Sequence, residues 1–156
     1  FFAMLARKGK PVSTPRKIAI GMGLAAFAYI FLEIFSYIKG YPSAQDYLAL
    51  PVAEQEASRA GVWVFFVTYF FLTVAELFIS PLGLSFVSKV APKHMLGLCQ
   101  GLWLGATAVG NAFLFLGSMM YNAIPLWLCW TVFVVICLIS MGVMFGMVKW
   151  LERVAK

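Results

Sequence analysis

Glu76 is the residue whose type and position ask for chemistry. It falls near the middle of an apolar run from Val62 to about Lys89, where an ionised carboxylate costs about 2.5–3.5 kcal/mol even on lenient insertion scales. No Lys or Arg falls in the interior of any apolar run of this sequence. A positive partner must therefore come from a ligand or from protein outside this sequence, or the acid is protonated while its site is empty. Carboxylates placed in this way mark substrate, ion or proton paths. The bland alternative is a neutral acid making an interhelical hydrogen bond. Ser80, four residues on, shares the helical face of Glu76. Pro81 removes an amide donor and crowds the carbonyl of Leu77, which predicts a bend just past Glu76, and Gly83 loosens the next turn. A bend beside a buried acid makes a gate or a binding ledge, although proline bends also occur in purely structural membrane helices.

A second polar stripe lies further along. Gln100, Trp103, Thr107 and Asn111 follow i, i+3, i+7, i+11 on one helical face. Gly97, Gly101 and Gly105 repeat every four residues beside it, the spacing of a close helix-packing seam. The polar stripe is either interhelical glue or one wall of a wet cavity facing Glu76, and spacing alone leaves both open. Glu33, near the end of its run before Lys39, reads as an interfacial carboxylate that snorkels. His94, beside Pro92 and Lys93, reads as a solvated residue at a helix start. Cys99, Cys129 and Cys137 read as apolar core cysteines. No Ser-His-Asp set, phosphate-binding glycine loop or metal-ligand cluster is visible, so neither an enzyme nor a resident metal or organic cofactor is expected.

The elements that must position these residues follow from composition. The chain has 156 residues, 63% hydrophobic and 12% charged, with mean hydropathy +0.91. Soluble domains carry about 45–50% apolar and about 25% charged residues, and a chain this short cannot hide the excess from water. The reading is an all-α integral membrane protein, because backbone amides in lipid must be paired within the segment. Four runs approach the ~20 residues that cross a hydrocarbon layer, at about 18–38, 62–89, 95–120 and 126–148. Thr14 and Pro15 open the first as cap and first helical residue, and Lys39-Gly40 closes it. The opening Phe1 to Ala6 reads as the tail of another apolar helix, so the chain is expected to be a piece of something longer.

Basic residues set the expected topology. Arg7, Lys8, Lys10, Arg16, Lys17, Lys89, Lys93, Lys149, Arg153 and Lys156 lie on one side, ten of the twelve in the chain. The positive-inside bias puts loops 7–17 and 89–94 and the C-terminus in the cytoplasm. The net charge of +6 needs no nucleic-acid partner, since membrane chains collect Lys and Arg there anyway. The outer loop 39–61 reads as a solvated connector, with Ser43 and Asp46 as a capping pair and Pro51 opening a short helix.

Three stretches carry a resemblance. Glu76-Leu77-Phe78-Ile79-Ser80-Pro81-Leu82-Gly83-Leu84-Ser85, running into Lys89-Val90-Ala91-Pro92, resembles the proton-dependent oligopeptide transporter family of the major facilitator superfamily. So do Gly9 to Lys17 with Gly21, and Gly101-Leu102-Trp103 with Ala106 to Asn111; Ala75 departs mildly, standing where glycine is more usual. The resemblance implies a C-terminal portion of such a transporter: residues 1–6 would end helix eight, and the full spans would be helices nine to twelve. It implies that Glu76 helps bind a peptide's amino terminus, that Ser80, Trp103, Thr107 and Asn111 line the cavity, and that the bent tenth helix with the eleventh moves at the cytoplasmic exit. It also implies di- and tripeptides as substrates, the proton as coupling ion, a plasma-membrane location, and a partner bundle formed by the N-terminal half. Two rivals stand beside it: a related symporter for nitrate or an amino-acid conjugate, and a non-transporting helical membrane subunit.

Overall fold

The computed structural model describes residues 12–154. The basic residues Arg7, Lys8 and Lys10, the stretch 1–6 and Lys156 lie outside the described residues.

The first helix, α1 (Thr14–Lys39), starts one residue earlier than the capping pattern suggests. Ser13 is the cap, extended at φ −65° and ψ 153°, and Thr14 and Pro15 are the first helical positions. Proline is tolerated there because the amide it lacks would have no helical partner. Gly40 ends the helix in the left-handed region at φ 64°. Its N–H donates to the Tyr37 carbonyl at 3.1 Å while the Tyr41 N–H donates to the Ser36 carbonyl at 3.2 Å, which satisfies two terminal carbonyls.

The connector is more ordered than a solvated loop needs to be. It forms two short helices, α2 (Ala44–Ala49) and α3 (Val52–Ala57). Ser43 caps α2, its hydroxyl accepting from the Asp46 N–H at 3.3 Å and donating to the Asp46 carboxylate at 2.6 Å. Pro51 caps α3. The Tyr47 hydroxyl donates to the Gln55 carbonyl, and the Gln55 amide donates to the Leu50 carbonyl, each at 2.8 Å, clasping the two together.

Helix α4 (Val62–Val90) runs unbroken through Pro81. A 3-10 turn over Lys93–Met95 leads into α5 (Leu96–Ala112). The third apolar run, expected as one span over 95–120, is divided at Phe113 (φ −77°, ψ −5°), beyond which α6 (Leu114–Ala123) continues. The last helix is α7 (Leu126–Val154). Four helical stretches are long and apolar enough to cross a membrane: the α1 region, α4, α5 with α6, and α7. Their faces carry large exposed apolar side chains such as Phe27, Phe66, Leu102 and Ile139, as lipid contact requires.

The packing centres on α1, which lies between α4 and α7. Toward α4 it sends Gly21, Phe27, Phe31 and Phe35. Phe27 meets Phe71 edge-on at 5.0 Å, and Phe31 and Phe35 meet Trp63. Toward α7 it sends a residue every fourth position. Tyr29 stacks on Phe133 at 5.4 Å, Glu33 accepts from the Thr131 hydroxyl at 2.8 Å, and Tyr37 meets Trp127 at 5.8 Å. At the opposite end Glu152 of α7 accepts from Ser13 at 2.5 Å and pairs with Arg16 at 2.8 Å. Arg16 is 55% exposed there, so the ion pair contributes at most about 1 kcal/mol.

Small side chains set how closely α1 and α4 approach. A Cβ on Gly21 would lie 2.6 Å from the Phe78 Cβ and 3.1 Å from the Ala75 carbonyl oxygen. Ala75 is 2% exposed at this crossing. Gly21→Val is expected to destabilise the protein by about 1–3 kcal/mol through overpacking. The loss would be read as a lower melting temperature in detergent, and an unchanged one would show that the crossing yields freely.

Candidate functional site

Helix α4 turns two different faces to its neighbours. Ala75 and Phe78 meet α1, while Glu76, Ser80 and Gly83, at i, i+4 and i+7, form a separate stripe. Glu76 and Ser80 are both exposed. Among the described residues neither makes a side-chain hydrogen bond or ion pair, so no base within this span or its neighbours neutralises the carboxylate. In water this would be unremarkable. Halfway along a membrane span it leaves a charged or protonated acid for something else to satisfy.

Gly83 is buried because Trp103 of α5 lies on it. A Cβ there would overlap Cζ2 and Cη2 of the indole and sit 3.1 Å from Cε2. The side chain that sequence places on the polar stripe and the glycine that it places at the bend are thus one contact. A second link lies toward the connecting turn, where the Gln100 amide donates to the Ser88 hydroxyl at 2.8 Å. With α4 and α5 antiparallel across this short turn, equal rise per residue puts Thr107 at the level of Ile79 and Asn111 at that of Ala75. The stripe of α5 therefore climbs from the Trp103 seat toward the depth of Glu76, about 10 Å further along α4. Thr107 and Asn111 are exposed, and Thr107 donates only to its own Trp103 carbonyl, at 3.1 Å. The structure joins Trp103 to Gly83; among the described residues no hydrogen bond joins Thr107 or Asn111 to Glu76.

Gly97, Gly101 and Gly105 have no heavy atom within 4 Å of the position a Cβ would take. Their seam meets no helix among the described residues. Glu33 departs from the snorkelling expectation: it is half-buried and held by Thr131 of α7. The last helix is accordingly a partner of α1 along its length rather than only a lipid-facing wall. Sequence reasoning used Gly21 only for a resemblance and missed its packing role, and it passed over the Glu33–Thr131 pair. The signal for Gly21 was its place in the small-residue series Ala19, Gly21, Gly23, Ala25, Ala26 and Ala28 of α1. Nothing local signalled the pair, whose members are 98 residues apart. His94 is exposed in the 3-10 turn, as expected. Among the described residues no group of three His, Cys, Asp or Glu could hold a metal ion.

Comparison with known proteins supplies the family of the chain. Residues 1–126 match the model of the POT family (PTR2). The dipeptide and tripeptide permease B of Salmonella typhimurium is 30% identical over 125 residues, covering 80% of this chain and 22% of the relative. Its namesake from Shigella dysenteriae serotype 1 is 31% identical over 165 residues, covering 97% of this chain and 30% of the relative. The dipeptide and tripeptide permease A of Proteus mirabilis is 29% identical over 103 residues, 64% of this chain and 17% of that protein. The chain thus spans less than a third of the length of these relatives. No solved structure matches it. By its four apolar spans and by a family match that covers most of its length, this multi-pass membrane chain belongs to the POT family.

Proposed function

We propose that this chain forms four spans in the C-terminal portion of a proton-coupled di- and tripeptide symporter in the cell membrane, with α4 and α5 supplying part of the substrate site. The observation that carries the reading is the unneutralised Glu76 on the exposed stripe of a membrane-spanning helix. A peptide's ammonium would supply the missing charge and three hydrogen-bond donors. The names of the relatives, dipeptide and tripeptide permeases, support that substrate class. Trp103 would close the site below Glu76 as an apolar wall, with Ser80, Thr107 and Asn111 as polar lining, while Pro81 and Gly83 let the lower half of α4 move with α5. The seam of Gly97, Gly101 and Gly105 would receive helices of the remaining bundle, which alternating access about a midplane site requires. The loops rich in Lys and Arg would face the cytoplasm. Peptide and proton would act by binding the outward and inward states with different affinity.

The test is uptake of a labelled dipeptide by the full-length protein in proteoliposomes with an inward proton gradient. Unlabelled di- and tripeptides are expected to compete and nitrate and amino-acid conjugates are not, and a protonophore should abolish accumulation. Competition by nitrate without competition by peptides would overturn the substrate; accumulation indifferent to the protonophore would overturn the coupling. In the same assay Trp103→Ala should reorder the peptides by side-chain bulk, and an unaltered order would remove Trp103 from the site.

A further inference from the structure

A second carboxylate, remote from Glu76, sits in a built aromatic setting. Glu33 of α1, Tyr37 one turn on, Ile34 beside them and Trp127 of α7 line a cleft of about 350 Å³ between the two helices. One carboxylate oxygen of Glu33 lies 2.8 Å from the Thr131 hydroxyl, whose single proton it shares with the Trp127 carbonyl at 3.0 Å. Its other oxygen has no hydrogen-bond partner and the carboxylate no cation among the described residues. The Tyr37 and Trp127 rings meet at right angles, centroids 5.8 Å apart and interplanar angle 84°. A carboxylate with a free oxygen in a cleft that two electron-rich rings also line is a receptor for an ammonium group, which gains an ion pair, hydrogen bonds and a cation–π contact together.

The position of the cleft selects the source of that ammonium. Helix α1 has 26 residues, about 39 Å of length against a hydrocarbon core of about 30 Å, so its ends reach the headgroup zone. Tyr37 is in the last turn of α1 and Trp127 is the second residue of α7, the level of the interfacial aromatic belt. Glu33, less than two turns inside that end, lies close to the hydrocarbon boundary. The neighbouring surface of α1 is apolar and open, with Ile34 54% and Ile38 75% exposed, which suits acyl chains and no water-soluble ligand. We propose that this cleft binds a phospholipid whose headgroup carries a primary ammonium, such as phosphatidylethanolamine, with the ammonium on Glu33 beside the Tyr37–Trp127 pair. An anionic headgroup would meet the carboxylate with like charge. A trimethylated ammonium keeps the cation–π contact but has no N–H to give the free oxygen. This site is independent of any peptide at Glu76.

The full-length protein, equilibrated in detergent micelles with equal amounts of phosphatidylethanolamine, phosphatidylglycerol and phosphatidylcholine, is analysed by native mass spectrometry for the lipids it retains. Wild type is expected to retain phosphatidylethanolamine over either competitor by about ten-fold, the scale of one charge-assisted contact with a cation–π contribution. Glu33→Gln should bring the ratio close to one. Trp127→Leu, which leaves the Glu33–Thr131 bond in place, should lower it by about three-fold, and it decides the matter if the first variant fails to fold. Parity among the three lipids in wild type, retention of phosphatidylcholine equal to phosphatidylethanolamine, or a preference that survives substitution would each overturn the proposal.

Discussion

Glu76→Gln in the full-length protein is expected to lower uptake of a dipeptide at sub-saturating concentration by about 30-fold or more. The scale comes from removing one partner of a desolvated charge pair, about 2–5 kcal/mol, at 1.4 kcal/mol per factor of ten. The amide keeps the size of the side chain and still accepts a hydrogen bond, so what it removes is the negative charge. An N-acetylated dipeptide, which has no ammonium, separates this role from a structural one. Wild type should discriminate strongly in favour of the free amine, and Glu76→Gln should lose that discrimination together with its uptake. Glu76→Asp, which retains the charge but withdraws it by one methylene, should fall between the two. Because Glu76 bonds to nothing among the described residues, neither variant is expected to lower the melting temperature by more than a degree or two. Wild-type uptake across a concentration series would remove Glu76 from the substrate path. A large stability loss with intact discrimination would instead support a helix-gluing role.

The parts of this molecule that sequence made legible are those governed by local chemistry. Apolarity and length located the four spans, the Ser43–Asp46 cap and Pro51 marked the connector helices, and Gly40 stopped α1 where its left-handed backbone is needed. The division at Phe113 escaped notice because the span was read from hydropathy, which stays high through Ala112, Phe113 and Leu114; the weak helix formers Gly110 and Asn111 were the available signal. That Glu76 and Ser80 share one face of α4 was readable from their spacing, since both come out exposed. Contact between helices was not readable. Gly83 and Trp103 each stood out alone, one as a bend residue and one as a polar-stripe aromatic, but nothing in either stretch states that one is the seat of the other. Gly97, Gly101 and Gly105 give the converse lesson. Their spacing is that of a seam, yet a seam names no partner, and the described residues offer none.

Gly83→Ala should be the most disruptive single methyl added to the site, because of where Trp103 lies. The new Cβ would overlap the six-membered ring of the indole, and a rigid two-ring side chain cannot relieve this by bending at its tip. It must leave its rotamer or push α5 away from α4. Overpacking of this kind costs about 1–3 kcal/mol. The structure identifies the relief as well: shrinking the partner to Trp103→Leu in the same protein restores the space the methyl needs. A cycle of the two single variants and the double variant, melted in detergent, should therefore show a coupling of about 1–3 kcal/mol, with the double variant more stable than the sum of its parts. Uptake should follow a related pattern. Gly83→Ala alone is expected to change the order of competing peptides in the same direction as Trp103→Ala, since both take the indole from its place, while the second link from Gln100 to Ser88, 2.8 Å long, holds the ends of α4 and α5 together in each. Glu76 lies about 10 Å up the same stripe, so preference for a free amino terminus should be kept. Additivity within about 0.5 kcal/mol would show that the indole does not rest on Gly83 in the working protein. Coupling in stability with an unchanged peptide order would make the contact a helix seam and nothing more.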